Sequence, residues 1–482
     1  MTTKTHKVST SLAVLLIFQF NTSSSMILYP YCVGRLGYLG AAFALIFWWS
    51  FVIYIEILVS RAYCRAAVAH RKAETLGDLG EAIYGKLGRI LLEIFQQANM
   101  WLWLPVATVF IADSIRSVVL TAFGTSSDNL RGGFNCHLTW LGITLAFELV
   151  LVQFIENFRE AGWFAIVSLI FVVAKLGLFA LDGVMERRAL GPLEDQMQPR
   201  LFGHSAAPTA TTDEAMWVEV LNALTILSYS FLPIFIHVEL QSEMKKPQEY
   251  EKALWIAVTM TALAYLGAGY IAVSLGGWDT TYPITKAPDR PLQYGMSYPP
   301  ASIPTNIFVI YATLLDYVIA HLAIAKNLLS KSFTSMPSTS GELTTHQHEI
   351  ASWLHRRFRW LLCSIGPWLL NATLALAVPI FSSLVSFLTG LTGPSTQIVI
   401  PALILLLASV RHDDVVDDNE NENDDDNKHK TSTTSWCYHT SLIVCIIFGT
   451  AACAVALTAA AGGLSVIRFI NHGDDTRNFF CS

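Results

Sequence analysis

The sequence predicts an all-α membrane protein with about eleven transmembrane helices, and its composition and hydropathy pattern support this prediction. Hydrophobic residues make up 53% of the 482 residues and charged residues only 14%, whereas an average soluble domain is roughly 25% charged. The apolar residues form blocks of about 20 residues or more, enough for a helix to cross the hydrocarbon core. A β-barrel strand would alternate apolar and polar residues, but Ala41–Ile53 is apolar except for Ser50. We therefore expect an integral, multi-pass membrane protein.

The apolar blocks divide the chain into two halves of five candidate spans and one last span. They fall near residues 11–33, 38–60, 91–115, 138–155 and 162–181, then near 216–240, 253–275, 305–329, 358–378 and 384–410, and finally at 437–468. The predicted transmembrane core is therefore 11–410, with its halves at about 11–181 and 216–410. Residues 411–435 are predicted to be an acidic, disordered cytosolic loop, because acid-rich, low-complexity sequence cannot bury a core. Residues 469–482 are expected to be a short tail.

Basic residues in the loops predict the orientation of the chain. Met1–Thr10 lacks a cleavage signal, so the first apolar block is expected to be retained as a span. With residues 1–10 in the cytosol, the inner segments carry roughly twice as many Lys and Arg residues as the outer segments. This bias predicts a cytosolic N-terminus. The sequence does not decide between the plasma membrane and an endosomal or vacuolar membrane as the location.

Polar residues interrupt the first span of each half. Asn21-Thr22-Ser23-Ser24-Ser25 lies in the middle of the first span, and Ser228-Tyr229-Ser230-Phe231-Leu232-Pro233 splits the sixth. Transporters with inverted repeats use such broken helices, whose free N–H groups meet an anionic substrate group while unwound carbonyls meet cations. Ordinary kinked helices, with each hydroxyl bonded to the preceding turn, are the alternative. The predicted substrate-binding residues are Thr22, Ser23, Ser24, Ser25, Ser228, Tyr229, Ser230 and Phe231.

Ionisable residues within the spans are a second set of candidates, because charge is costly in a membrane. They are Glu56, Glu93, Glu148, Lys175, His237, Glu239, Asp316 and His321. Lys175 lies deep in an apolar block, and a desolvated lysine suits reversible protonation. Asp316 could pair with it or bind a coupling cation if spans five and eight are adjacent. Glu56, Glu93, His237 and Glu239 lie near inner span ends, where they could reach water and act in structure or gating.

Four patches of sequence resemble the amino acid/auxin permease family of the amino acid, polyamine and organocation superfamily. They are Ser23–Tyr31 with Gly37–Gly40, Thr75–Gly80 with Tyr84–Gly88, Tyr229–Tyr250 with Tyr265 and Gly269-Tyr270, and Val378–Phe381 with Gly390 and Pro401. In the first patch, Ser23 and Ser25 stand where the family usually has glycine. Because serine leaves less space for a ligand than glycine does, the identity of the substrate is left open.

The resemblance implies a LeuT-like fold, with a five-plus-five inverted repeat and one additional C-terminal helix. It also implies secondary transport of amino acids or closely related solutes, driven by protons or cations, with the substrate between the breaks of spans one and six. Proton-driven members of the superfamily can carry a lysine in span five, and Lys175 looks comparable. The expected partners are an amino acid substrate and the lipid bilayer, with no nucleic acid, and protein partners stay open.

The sequence leaves a second functional class open and argues against a third. A non-transporting amino acid sensor would use the same site to bias a conformational equilibrium that a cytosolic partner reads. An enzyme is not expected, since no GxSxG, HExxH or Gly-Lys-Ser/Thr motif occurs. No cofactor or metal site is expected, although H⁺ or Na⁺ could serve as a coupling ion. Whether Cys136 and Cys481, both on the predicted outer side, form a disulfide is left open.

Overall fold

A computed structural model shows a helical chain and describes most of the predicted spans. The described residues are 7–22, 25–68, 73–123, 137–155, 158–190, 220–221, 223–228, 230–231, 234–276, 299–332, 345–377, 392–417, 438–455 and 458. All elements of any length in these ranges are helices, and Val8 and Met244 form a single parallel bridge. The cysteines Cys136 and Cys481 and the fourth sequence patch up to Gly390 lie outside these ranges.

The first predicted span consists of two helices. Helix α1 is Thr10–Thr22 and helix α2 is Ser25–Val68. Within α2, Gly37 has φ 73° and ψ 168°, so the helical path changes direction there. Glycine tolerates this positive φ because it has no Cβ. The first part of α2 therefore completes span one, and the part after Gly37 is span two.

The remaining helices follow the order of the apolar blocks. They are α3 Leu76–Tyr84, α4 Lys86–Phe123, α5 His137–Phe154, α6 Phe158–Leu190, α7 Ile234–Glu243, α8 Tyr250–Gly276, α9 Pro299–Ser332, α10 Thr345–Ala377, α11 Ile400–Asp417 and α12 Tyr438–Val455. Residues 223–228 form a short helical segment before α7. The short helix α3 starts at Thr75, whose hydroxyl accepts from the Asp78 N–H while the Asp78 carboxylate accepts from the Thr75 N–H. This capping box satisfies two N–H groups at the helix start.

Six helices among the described residues are long and apolar enough to cross a membrane. Their outward faces, with that of α5, carry large apolar side chains where a soluble protein would have polar ones. Examples are Phe43, Phe147, Trp163, Ile170 and Val173. This agrees with the predicted integral, multi-pass membrane protein, whereas the total of eleven spans stays a prediction.

Several helices are longer than the apolar blocks that predicted them. Helix α4 begins at Lys86 and not near residue 91, and α10 begins at Thr345 and not near 358. Helix α11 continues to Asp417, so residues 411–417, which were predicted to be disordered, are helical. Hydropathy marks only the lipid-facing length of a helix, and polar turns can extend it beyond the bilayer.

Helix α9 lies at the centre of the bundle and packs against α1, α4, α5, α6 and α10. Helix α8 packs against α1, α2 and α6 on the other side of α1. Helix α1 and the interrupted segment before α7 are thus enclosed by long, continuous helices. The fold places both interruptions in its interior.

Candidate functional site

One tyrosine hydroxyl joins the two helix interruptions. Tyr265, on the continuous helix α8, donates to the backbone carbonyl of Asn21 in the last turn of α1. The same hydroxyl lies 2.9 Å from the backbone carbonyl of Ser230 in the second interruption. Both contacts are buried, although Asn21 and Ser230 are more than 200 residues apart in sequence. The polar breaks of spans one and six therefore face a common point.

Aromatic rings hold the Tyr265 side chain in place. The Tyr29 ring stacks on it with centroids 5.7 Å apart, and the Phe231 ring meets it edge-on at the same separation. The hydroxyl of Tyr29 is buried and has no hydrogen-bond partner among the described residues. Since buried polar groups are normally hydrogen-bonded, this hydroxyl can serve a ligand bound between the breaks.

The predicted hydroxyl groups bond to their own helices. Thr22 donates to the carbonyl of Phe18, Ser228 to that of Thr225 and Ser230 to that of Ile226, each at 2.8 Å. Their protons are thus used locally, as the kinked-helix alternative predicted, while their oxygens can still accept. Each interruption is followed by a helix start, at Ser25 for α2 and at Ile234 for α7. Unpaired N–H groups at a helix start favour an anionic group.

The structure brings some predicted site residues together. Ser230 and Phe231 lie against Tyr265, and Thr22 directly follows Asn21, whose carbonyl Tyr265 contacts. Ser228 is anchored by Trp48, whose indole N–H donates to the Ser228 carbonyl at 2.6 Å. Ser23, Ser24 and Tyr229 lie outside the described residues. For Ser25, only the backbone is described.

The two predicted coupling residues are neighbours. Lys175 on α6 and Asp316 on α9 are both buried and interact electrostatically. Gln19 of α1 hydrogen-bonds to Asp316, and its amide also donates to the carbonyl of Ala312 at 3.1 Å. The sequence left open whether spans five and eight are adjacent. They are, with the Phe171 and Phe308 rings stacked at 4.3 Å.

The family described as transmembrane amino acid transporter protein matches residues 6–412. The chain belongs to this family of transmembrane amino acid transporters. The match covers both interruptions, the Lys175–Asp316 pair, the first ten helices and most of α11, which agrees with the resemblance seen in the four sequence patches.

Individual relatives of this transporter family member are distant. A protein named transmembrane transporter from Fusarium pseudograminearum is 25% identical over 334 residues, covering 68% of this chain and 64% of the relative. The chain thus spans less than two thirds of that fungal protein. Amino acid transporter AVT1I from Arabidopsis thaliana is 21% identical over 385 residues, covering 78% of this chain and 80% of the relative.

The fold of this chain also resembles a solved structure. The crystal structure of MhsT in complex with L-phenylalanine matches with a TM-score of 0.57 at 13% identity, covering 93% of this chain and 98% of that one. At this identity, the match shows a shared fold alone. It supports the LeuT-like architecture that the sequence resemblance implied, while the five-plus-five repeat stays a prediction.

The N-terminal segment of the chain is bonded to one end of the bundle. The N–H of Val8 donates to the Glu243 carbonyl at 2.8 Å, and the N–H of Lys245 donates to the Val8 carbonyl at 2.9 Å. Lys326 of α9 forms an ion pair with the Glu243 side chain. These contacts tie the N-terminus to the end of α7 and to α9. We call residues 8, 243–245 and 326 the N-terminal latch.

Two acidic residues near this end are buried instead of reaching water. Glu56 of α2 and His237 of α7 form a hydrogen-bonded pair, and both are fully enclosed. Glu239 accepts from the Gln96 amide at 2.8 Å. The expectation that Glu56, His237 and Glu239 could reach water is therefore wrong for this conformation. Glu56 pairs with His237, and Glu239 also accepts from the backbone N–H of Leu76, so α2, α3, α4 and α7 hold these groups inside the bundle.

The sequence did not identify Tyr265 as a site residue. It appeared only as part of the third patch, inside an apolar span where a tyrosine gives no distinct signal. Its importance comes from two backbone contacts with distant parts of the chain, which no local pattern reveals.

Glycine at 269 allows α8 to approach Tyr29, and this predicts a sharp effect of adding one methyl group. A Cβ at Gly269 would lie 2.5 Å from Tyr29 Cδ1 and 2.6 Å from Val33 Cγ2. Because overpacking typically costs about 1–3 kcal/mol, we expect Gly269→Ala to lower the unfolding temperature of the purified protein. Gly267→Ala is the matched control, since its Cβ would be 3.6 Å from Leu176. Equal stability of the two variants would contradict this packing.

Proposed function

We propose that the protein is a secondary active transporter of amino acids or closely related small solutes, coupled to protons or another cation. The observation that carries the proposal is the Tyr265 hydroxyl, which contacts the backbone at both interruptions. A substrate bound there would touch both interrupted spans at once. Membership of the amino acid transporter family supports the same conclusion.

The arrangement suits a molecule with a carboxylate and an amine. N–H groups at the starts of α2 and α7 would take the carboxylate, since helix starts carry partial positive charge. The hydroxyl oxygens of Thr22, Ser228 and Ser230 can accept from the amine, because their protons already bond to their own helices. Ser23, Ser24, Ser25, Tyr229 and Phe231 complete the proposed site. No covalent chemistry is required.

Alternating access would proceed around this site. The N-terminal latch closes one end of the bundle, so release on that side requires its backbone bonds and the Lys326–Glu243 pair to open. The half-helix α7 leads from the second interruption directly to Glu243. A change in substrate contact at the break can therefore be transmitted to the latch through one short helix. We place this end in the cytosol, as the distribution of basic residues predicts.

Lys175 and Asp316 are the proposed coupling residues. Asp316 contacts Gln19 in α1, one turn before the first interruption. Gain or loss of a proton at Lys175 would change the charge of the pair, and Gln19 offers a direct route to the substrate site. Eleven spans, arranged as a five-plus-five inverted repeat with an additional helix, complete the proposed architecture.

An amino acid sensor is the second candidate function. It would bind the same ligand but pass no net flux, and the acidic segment before α12 would be its contact with a cytosolic partner. Binding of an amino acid without transport would favour this alternative.

The test is uptake by the purified protein in liposomes. A panel of radiolabelled amino acids is offered with an imposed inward proton gradient, with and without sodium, and binding of the same panel is measured in detergent. We expect at least one amino acid to accumulate above its equilibrium level. Binding without accumulation or exchange under any gradient would exclude transport of the panel and favour sensing.

A further inference from the structure

A second buried polar cluster lies away from the interruptions. It is centred on Glu148 of α5, and Thr108 of α4, Tyr317 of α9 and Asn371 of α10 surround the carboxyl group. All four side chains are buried. The Thr108 hydroxyl oxygen lies 2.9 and 3.0 Å from the two carboxyl oxygens, and the Asn371 amide donates to one of them at 3.3 Å. Side chains from three other helices thus converge on one acid.

The groups around Glu148 are neutral. Among the described residues, the titratable group in contact with Glu148 is Tyr317, which hydrogen-bonds to it, and His321 stacks on the Tyr317 ring with the centroids 5.9 Å apart. Both ring nitrogens of His321 are buried without a hydrogen-bond partner among the described residues, so nothing there supports a positive charge. An ionised carboxylate enclosed by neutral groups bears a large desolvation cost.

The number of available protons also favours a neutral acid. The single Thr108 hydroxyl proton has four acceptors in range: the two Glu148 oxygens, the carbonyl of Leu104 at 3.1 Å and the Asn371 Oδ1 at 3.4 Å. An ionised Glu148 would compete with Leu104 for that proton. A protonated Glu148 can instead donate to the Thr108 oxygen, while Thr108 donates to Leu104 and Asn371 donates to the other carboxyl oxygen. Both carboxyl oxygens, the Thr108 hydroxyl and the Leu104 carbonyl then have partners.

We propose that Glu148 is a proton-binding site, occupied in this conformation, in which the carboxyl proton is donated to Thr108. The site is separate from the proposed coupling pair but adjoins it along α9. Asp316 interacts with α1 and α6, whereas the next residue, Tyr317, faces Glu148. The same turn of α9 thus connects the two ionisable sites. The proposal does not depend on which solute the protein carries.

Infrared spectroscopy of the purified protein at neutral pH tests the assignment without a transport assay. The carbonyl stretching band of an un-ionised carboxylic acid lies at a different infrared frequency from the bands of an ionised carboxylate. The spectrum of wild type minus that of Glu148→Gln should contain this acid band. Glu160→Gln, which removes an exposed carboxylate at the start of α6, is the matched control and should remove only carboxylate bands. If Glu148→Gln instead removes carboxylate bands, Glu148 is ionised in the wild type and the proposal is overturned.

Two further measurements are needed. The first keeps the proposal testable if Glu148→Gln does not fold, and the second tests whether the site binds a metal cation instead of a proton. In Thr108→Val, which keeps Glu148, the acid band should move to higher frequency because its hydrogen-bond acceptor is lost. An unmoved band would overturn the assignment of the proton to Thr108. Loss of the acid band when sodium replaces potassium would show that the oxygens bind a cation, which would also overturn the proposal.

Discussion

Replacing Tyr265 with phenylalanine should reduce amino acid uptake by about 10- to 100-fold while the protein stays folded. The change removes only the hydroxyl, so the stacking on Tyr29 and the edge contact with Phe231 are kept. The carbonyls of Asn21 and Ser230 then lose a buried donor, and a buried unpaired polar group costs about 1–3 kcal/mol. The two interruptions would no longer be held together before substrate arrives. Initial uptake rates, normalised to the amount of reconstituted protein, measure the effect.

A second tyrosine on the same helix provides the control. The hydroxyl of Tyr270 donates to the Tyr38 carbonyl at 2.7 Å, and the two rings stack at 5.0 Å. Tyr270→Phe therefore removes a comparable bond to a backbone carbonyl, but away from the interruptions. We expect nearly wild-type uptake for it. An equal loss in both variants, or full uptake in Tyr265→Phe, would show that the hydroxyl bridge has no specific role.

Replacing Lys175 with methionine should abolish accumulation driven by a proton gradient but leave exchange of labelled for unlabelled substrate across the membrane. Exchange needs only substrate binding and reorientation, whereas accumulation needs the coupling charge. Methionine keeps the apolar stem of the lysine while removing the ammonium. Uptake with an imposed gradient and exchange at equal internal and external pH separate the two steps.

The partner residue makes the coupling prediction sharper. Removing one member of a buried charge pair typically costs about 3–5 kcal/mol, because the other charge is left alone. Lys175→Met and Asp316→Asn should each lower the unfolding temperature, and the double variant should recover part of that loss. Proton-driven accumulation that survives Lys175→Met, or sodium-driven accumulation insensitive to it, would rule out the lysine as the coupling group.

Sequence reasoning located most helices and both interruptions because these features have local signals. Apolar length marks a span, and polar residues such as Asn21 and Ser228 inside a span mark a break. Helix ends were less accurate, as for α11, because hydropathy follows lipid contact and not hydrogen bonding. The deep position of Lys175 was also visible in the sequence, since apolar residues flank it on both sides.

The features that connect distant parts of the chain could not be predicted in the same way. Adjacency of Lys175 and Asp316 depends on how α6 packs on α9. The bridging role of Tyr265 and the partners of Glu148 likewise arise from helices far apart in sequence. Glu148 was recognised as a costly intramembrane acid, but only the positions of Thr108 and Asn371 suggest what it does.

Protection of a cysteine at Ser230 by substrate would test the central claim most directly, namely that an amino acid binds between the two interruptions. Ser230→Cys is introduced into a variant lacking the native cysteines, and its rate of reaction with a small thiol reagent is measured with and without saturating transported amino acid. Lys86→Cys, at the exposed start of α4 before the predicted span 91–115, is the control and should react at the same rate in both conditions. We expect the amino acid to slow labelling at position 230 alone. An unchanged rate at position 230, with transport intact, would place the substrate elsewhere and contradict the account.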